Sequence, residues 1–301
     1  MAYMPLDKSK FYLDKSKMVK IHDLSNPWGV DTPLWPFPGA RQDLQFPRGQ
    51  YLGRFHKRTM TYTGTLHAGT HMDAPNHVLH EEEVDRERYG YSFDEIPLEH
   101  CIGTGVILDM THLFDEFNAK WDAAGGDPKK FGNIWKELQP EDFEKAAAKD
   151  GLEIRENDWV VVNTGFQRLW RKNNDKYYNY YPGMGPTVAK WLIHEKHIKG
   201  ISGTWGATDA PLWHHPLKEQ MPWLGEAYQA ANGVSAFDAG FNDYEPCHRL
   251  FMQHGVCTVE NAGGNIDEIS GKRMIIAAFP FRCEMADGGF VRLVAWEEGS
   301  F

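Results

Sequence analysis

The stretch HAGTHMDAPNH, residues 67–77, places three histidines and one aspartate within eleven residues. A helix cannot hold this pattern, because Pro75 would break the helix and Asp73 lies off the face shared by His67 and His71. In an extended strand His71 and Asp73 point to the same side, and the glycine between the first two histidines lets the backbone bring His67 beside them. The pattern therefore predicts a metal-binding loop that leaves a strand.

Length and composition are typical of a folded chain with a large core. The 301 residues are 42% hydrophobic and 25% charged, which suits one globular domain better than two small ones. We expect a short N-terminal arm over residues 1–18 and a single domain over 19–301. Residues 113–139 are polar and contain two adjacent glycines, so they are interpreted as an insertion with little core of its own.

Charge and hydropathy exclude several classes of partner. The net charge is −10, from 32 basic and 42 acidic residues, and no basic run stands out, so nucleic acid and anionic membranes are not expected partners. No apolar run is long enough to span a bilayer, and the N-terminus is charged where a signal peptide would be apolar. We expect a cytoplasmic protein that acts on a small molecule.

The four cysteines are far apart and form no CxxC pair, which argues against a zinc knuckle and a disulfide scaffold. They are expected to be reduced and mostly buried. The chain also lacks the GxGxxG, Walker and GxSxG patterns, so neither a dinucleotide site nor a serine nucleophile is supported.

Hydrophobic periodicity predicts a mixture of strands and helices. Because they do not follow a strict βαβ rhythm, the fold class is α/β, or α+β, with a mixed sheet and flanking helices. The aromatic run YYNYY at 177–181 is interpreted as an exposed pocket lip or oligomer contact. Strands are predicted at 18–24, 105–110, 159–163 and 256–260, helices at 140–151, 186–196 and 246–254, and a closing strand pair at 274–281 and 290–296.

The ligand types in the histidine stretch indicate an open, catalytic metal site. A structural zinc site is normally closed by four Cys or His ligands, whereas His67, His71 and Asp73 leave positions for water. Mixed imidazole and carboxylate ligands suit zinc, manganese or iron(II) better than magnesium or calcium. Asp73 has two oxygens and can hold two ions, provided that the fold brings a second histidine and carboxylate nearby.

The stretch resembles the HxGTHxDxPxH signature of the cyclase family of metal-dependent hydrolases, which includes bacterial kynurenine formamidase and isatin hydrolase. Further segments on both sides of this stretch also resemble the family, and they occur in the family's order along the chain. Together they cover most of the chain, apart from the arm and the 113–139 insertion. They are IHDLSNP from Ile21, TPLWP from Thr32, NTG from Asn163, the pair His248 and Glu260, and FVRLVA from Phe290.

The resemblance implies roles for individual residues. His67, His71 and Asp73 would bind one divalent ion, zinc or manganese, and Asp73 would bind a second together with His248 and Glu260. Proton transfer would fall to His77. Trp35 would contact the substrate, and Phe37, where many family members have glycine, is predicted to be substrate-binding as well.

The resemblance also implies a swivelling β/β/α fold, assembled as a homodimer or homotetramer with pocket residues shared between subunits. The expected activity is cleavage of a C–N bond in a small aromatic or cyclic amide, such as an arylformamide, an isatin-like lactam or an imide. One alternative keeps the metal but hydrolyses an ester or lactone, or performs an elimination with His77 as base. The other is a metal-bearing binding protein without turnover.

Overall fold

The structure is a computed structural model, and it describes residues 10–14, 17–29, 31–35, 48–51, 57–60, 62–131, 136–213 and 245–297. The strands are β1 Lys10–Asp14, β2 Lys17–Asp23, β3 Arg48–Tyr51, β4 Lys57–Met60, β5 His71–Asp73, β6 Ile102–Asp109, β7 Glu137–Leu138, β8 Trp159–Asn163, β9 Gly183–Met184, β10 Gly200–Gly203, β11 Cys257–Glu260, β12 Lys272–Ala277, β13 Gly288–Phe290 and β14 Val294–Trp296. The helices are α1 Arg86–Tyr89, α2 His112–Ala123, α3 Pro128–Phe131, α4 Pro140–Lys149, α5 Asn174–Asn179, α6 Pro186–His194 and α7 Pro246–Gln253.

Ten strands form one mixed sheet in the order β1-β2-β14-β12-β6-β8-β10-β11-β5-β13. The central strands β6, β8, β10 and β11 are parallel, and the strands on both sides of them pair antiparallel. The predicted mixed sheet with flanking helices is thus confirmed. Part of the predicted N-terminal arm belongs to this sheet, because β1 pairs with β2.

Strand β8, with the sequence WVVVN, shows how the sheet separates two cores. Val160 and Val162 face one core, and Trp159 and Val161 face the other, as the period of two along a strand requires. The first, which we call the helix-side core, is covered by α4, α6 and α7. Burial on both faces explains why this strand reads as a continuous apolar run.

The three predicted helices are present, and each begins at a proline. Pro140, Pro186 and Pro246 occupy the first helical positions, where a missing N–H costs nothing and the fixed φ suits a helix. Helix α4 is followed by Gly151, whose φ of +66° lies in the left-handed region that terminates helices. These bounds agree closely with the sequence prediction.

The polar 113–139 segment contributes more to the core than its composition indicates. Its helix α2 buries Leu113 and Phe117, which lie four residues apart on one face, and Phe131 and Leu138 are buried beyond it. All four join the helix-side core. The segment is therefore packed into the domain on one amphipathic stripe.

The prediction that the aromatic residues at 177–181 form an exposed cluster is wrong. Tyr177, Tyr178 and Tyr181 are at most 4% exposed. Each hydroxyl donates to a carbonyl oxygen from a distant segment, for example Tyr181 to Asp209 at 2.7 Å. Burial is possible because these hydrogen bonds replace the ones to water.

The predicted closing strand pair is only partly correct. Strand β14 pairs with β12, but the preceding β13 pairs with β5 instead. This crossing brings residues 287–290 to the histidine stretch. Cys101, Cys247 and Cys257 are buried and no cysteine is disulfide-bonded, as predicted. Within the described ranges, no helix combines the length and the apolar character that crossing a bilayer requires.

Candidate metal centre

Strand β5 lies between β11 and β13, and its register brings the ligand side chains together. His71 and Asp73 point to the same face, and His71 is paired with Glu260 across β11. Cross-strand partners lie on the same face of a sheet, so Glu260 joins the two β5 residues. The first turn of α7 adds His248. All four side chains are buried, each at most 5% exposed.

His67, His71 and Asp73 form a group that we call the first trio. The His67 Nδ1 atom is 2.7 Å from Asp73 Oδ1, and His71 Nε2 is 3.3 Å from the same oxygen. Gly69, with φ +64°, makes the turn that returns His67 to the strand. The predicted strand and turn are present, and the structure brings His67, His71 and Asp73 together.

Asp73, His248 and Glu260 form the second trio. His248 Nε2 is 2.9 Å from Glu260 Oε1 and 3.5 Å from Asp73 Oδ2. Asp73 thus presents Oδ1 to the first trio and Oδ2 to the second. In each trio the three ligand atoms all lie within 4.8 Å of one another.

The donor set fits divalent cations. Asp73 Oδ2, which faces the second trio, is buried without a hydrogen-bond partner, which is costly unless another group satisfies it. Three imidazoles and two carboxylates match the preferences of zinc, manganese and similar ions. The residues of the first and second trios would hold such cations, with Asp73 shared between them.

Electrostatics in the two trios raise the pKa of His67 and His248 and lower that of Asp73. Burial opposes the charge on Asp73, but His71, His248 and His67 hold its pKa well below the usual range. Burial also opposes the charge on His67, yet Asp287 and Asp73 raise its pKa to about 10. The pKa of His248 is raised in the same way, against burial, by surrounding carboxylates.

Each histidine of the trios has an outer contact for the nitrogen that faces away from the shared Asp73. His71 Nδ1 is 2.8 Å from the Gly69 carbonyl oxygen, and His248 Nδ1 is 2.6 Å from Asp209 Oδ2. The third contact is looser, because His67 Nε2 is 3.3 Å from Asp287 Oδ1 without hydrogen-bond alignment. Such outer contacts orient metal-binding imidazoles.

Sequence reasoning assigned no role to Asp209 or Asp287. Asp209 lies 39 residues before His248, so no local spacing in the sequence connects the two. Asp287 directly precedes β13, and only the pairing of β13 with β5 shows that it reaches the histidines.

His77 ends the short 3-10 turn Pro75–His77, which follows β5 directly. Its ring stacks on that of His67, with centroids 4.1 Å apart and an interplanar angle of 23°. His77 Nδ1 is 3.9 Å from Asp287 Oδ2, so one carboxylate faces both histidines. These paired histidines hold the pKa of Asp287 below its usual value. The half-buried His77 is thus outside the first trio, and with His67 and Asp287 it forms a further, more exposed group whose ligand atoms lie within 4.8 Å of one another.

Aromatic side chains lie next to the first trio. Phe290 is the cross-strand partner of His71 on the β13 side, and so shares its face of the sheet. Trp28 packs on Phe290 with ring centroids 4.3 Å apart, and Tyr62 packs at 5.5 Å. We call these three residues the aromatic wall. Sequence reasoning did not single them out.

The predicted substrate contacts Trp35 and Phe37 are not tested by this arrangement. Trp35 packs edge-to-face on Tyr178, with centroids 5.2 Å apart, and contacts the helix-side core. Its substrate role stays a prediction. Phe37 lies outside the described residues.

The fold is shared with solved hydrolases. Isatin hydrolase A from Ralstonia solanacearum aligns with a TM-score of 0.68 and 19% identity, over 93% of this chain and 92% of that one. Isatin hydrolase A from Labrenzia aggregata, bound to benzyl benzoate, aligns with a TM-score of 0.65 and 22% identity, over 93% and 94%. A structure described as a predicted metal-dependent hydrolase from Bacillus stearothermophilus gives 0.57 and 16%, over 93% and 99%.

At these identities the alignments establish the fold. No curated protein sequence matches the chain. The Cyclase family model matches residues 22–210, which contain the whole histidine stretch and more than half of the sequence. With this match, the two trios and the shared fold, the chain belongs to the Cyclase family.

Proposed function

We propose that this protein is a metal-dependent hydrolase that opens a C–N bond in a small aromatic or cyclic amide, such as an arylformamide, an isatin-like lactam or an imide. One observation carries the proposal. Asp73 offers one oxygen to each of the two ligand trios, and the half-buried His77, which is outside both trios, stacks on His67 of the first. Cation-binding residues thus lie beside a group able to move a proton.

The protein side of the mechanism follows from this arrangement. A divalent cation, when bound, supplies Lewis-acid activation of water near neutral pH. The trio residues would hold the cations, and the burial of His71, Asp73, His248 and Glu260 limits the access of bulk water from that side of the site. His77 is placed to receive a proton on one ring nitrogen and deliver it to the leaving nitrogen of the amide. General acid–base transfer of this kind contributes roughly 10²- to 10⁴-fold.

The aromatic wall supports an aromatic substrate. Phe290 is paired with the ligand residue His71, so a planar ring lying on Phe290 and Trp28 would have its reactive group near the first trio. The solved relative from Labrenzia aggregata binds benzyl benzoate, an aromatic ester, on the same fold. This wall favours an aryl amide or fused lactam over an aliphatic amide.

Zinc or manganese, with one or two ions per subunit, is part of the proposal, since the donor set suits both.

We also propose a homodimer or homotetramer that acts in the cytoplasm. Phe279, Phe281 and Met285 are exposed apolar side chains within residues 279–285 of the chain, and a partner subunit would cover them. Light scattering after size-exclusion chromatography measures this assembly directly.

The test compares chelated protein with protein reconstituted with zinc or manganese, on a panel of arylformamides, isatins and cyclic imides. We expect turnover only after reconstitution. In ¹⁸O-labelled water, label should enter the product carboxylate. Equal rates with and without metal would refute the proposal, and product formed without label would favour elimination over hydrolysis.

A further inference from the structure

We propose that Asp209 is the positioning residue of the second trio, and that it directs His248 to bind a cation through Nε2. The inference rests on the proposed metal-dependent function and deepens it. It assigns the affinity of the second cation position to one buried carboxylate that lies outside both trios.

The two ring nitrogens of His248 face different groups. Nδ1 is 2.6 Å from Asp209 Oδ2, whereas Nε2 faces Glu260 Oε1 at 2.9 Å and Asp73 Oδ2 at 3.5 Å. The ring is therefore held from behind by Asp209 and presents its other edge to the cation ligands. His248 is 3% exposed and Asp209 fully buried, so their contact is shielded from bulk solvent.

Asp209 is itself held in place. Its Oδ1 accepts the backbone N–H of Cys247 at 2.7 Å, and its Oδ2 accepts that of His248 at 3.0 Å. These N–H groups belong to the first turn of α7, so they have no acceptor within the helix. Glu245, which precedes the helix with φ +52°, supplies no side-chain cap for them. Asp209 thus aligns the first turn of the helix and the His248 ring together.

Thr208, the residue before Asp209, contacts Glu260, which is another member of the second trio. The backbone N–H of Thr208 donates to Glu260 Oε1 at 2.6 Å. The consecutive residues Thr208 and Asp209 therefore orient Glu260 and His248, respectively. This segment is fixed in turn by the Tyr181 hydroxyl, which donates to the Asp209 carbonyl oxygen.

The outer contacts of the two first-trio histidines, His67 and His71, differ from that of His248. His71 is held by a neutral carbonyl oxygen, that of Gly69, and His67 faces Asp287, whose side chain is 53% exposed. Among these three outer contacts, only that of His248 is a fully buried carboxylate at hydrogen-bond distance. Both Asp209 oxygens already accept backbone N–H groups, so the side chain acts as an acceptor toward Nδ1 as well. An acceptor at this position keeps the proton on Nδ1 and leaves the Nε2 lone pair for a cation.

The experiment measures cation binding by calorimetry and elemental analysis in four variants, with zinc as the probe. We expect Asp209→Asn to weaken the second zinc by about 10- to 100-fold and the first far less. In a His248→Ala background, which lacks the second position, Asp209→Asn should change zinc binding no further. Asp287→Asn, the matched control at the outer contact of His67, should still weaken the remaining zinc in that background.

A purely structural role for Asp209 predicts a different pattern. In that case Asp209→Asn lowers the unfolding temperature of metal-free protein but leaves zinc affinity at the wild-type value, and the proposal is overturned. A further loss of zinc affinity on adding Asp209→Asn to His248→Ala also overturns it. If the asparagine variant does not fold, Asp209→Ser, which keeps a hydroxyl acceptor for the helix start, is measured in the same way.

A measurement without substitution at position 209 is also decisive. In zinc-loaded protein labelled with ¹⁵N-histidine, the His248 signals, assigned by their loss in His248→Ala, should show the proton on Nδ1. A proton on Nε2 contradicts the proposal.

Wild-type protein that binds two zinc ions but consumes no amide would refute the proposed function alone. Wild-type turnover with unchanged zinc binding in Asp209→Asn would refute the Asp209 role alone.

Discussion

Gly288 makes room for the ring of His67. It is paired with Asp73 across the β5–β13 ladder, and a Cβ atom at this position would lie 2.7 Å from His67 Cε1 and 2.9 Å from the Met72 carbonyl oxygen. Real Cβ atoms do not approach other atoms so closely, so any side chain would displace the ring. The absence of a side chain on β13 is thus a condition for the first trio.

Gly288→Ala should therefore weaken zinc binding by about 10- to 100-fold, the range seen when ligand orientation is lost. The measurement is calorimetric titration of metal-free protein. Gly29→Ala is the matched control, because its Cβ would meet only Arg171 Nη2 at an ordinary 3.6 Å. Wild-type zinc affinity in Gly288→Ala would contradict the steric argument.

Cation binding should strengthen as pH rises. Against the effect of burial, Asp287 and Asp73 raise the pKa of His67 to about 10 in the metal-free protein, so this ring carries a proton at neutral pH. A cation that binds His67 must displace that proton, and a lower pH makes the displacement harder. Calorimetry at pH 7 in two buffers of different ionisation enthalpy should detect proton release. Binding without proton release, and with equal affinity at about pH 6 and 8, would contradict this expectation.

His77→Ala should lower kcat by roughly 10²- to 10⁴-fold and leave the zinc content unchanged, because the residue moves protons and lies outside both trios. Steady-state kinetics and elemental analysis of the same preparation test both statements. The control is His194→Ala, which removes an exposed histidine at the end of α6. Loss of zinc in His77→Ala would make that residue a ligand instead.

Asp287→Asn should reduce kcat more than it changes KM. Its two oxygens face His67 and His77, so the substitution removes the charge that orients the proton-transfer ring. We expect a loss of about 10-fold, smaller than that of His77→Ala, since the imidazole itself remains. An unchanged kcat, together with unchanged zinc affinity, would show that Asp287 does not orient either ring.

Phe290→Leu should raise KM for an aryl amide by about 2- to 10-fold, which corresponds to roughly 0.5–1.5 kcal/mol for an aromatic contact. KM for an aliphatic amide should not change in the same way. The control is Phe279→Leu, at an exposed phenylalanine outside the aromatic wall. Equal effects on the aryl and aliphatic amides would remove the support for an aromatic substrate.

Local features of the fold follow from the sequence directly. Helices α4, α6 and α7 are predictable because a first-turn proline and an apolar spacing depend only on neighbouring residues. The strand at His71 and Asp73 and the turn at Gly69 are predictable for the same reason. The tyrosines at 177–181 are not, because their burial depends on carbonyl acceptors from distant segments.

By itself, the sequence determined the ligand types, the extended backbone that aligns His71 with Asp73, and the α/β class, since spacing and composition decide local periodicity. Only the tertiary structure decided that Asp209, 39 residues before His248, holds that ring, and that Asp287 and Phe290 lie beside the first trio. The reason is physical: contacts between distant segments depend on which strands pair and in which register, and the choice of β5 as the partner of β13 is a property of the assembled sheet.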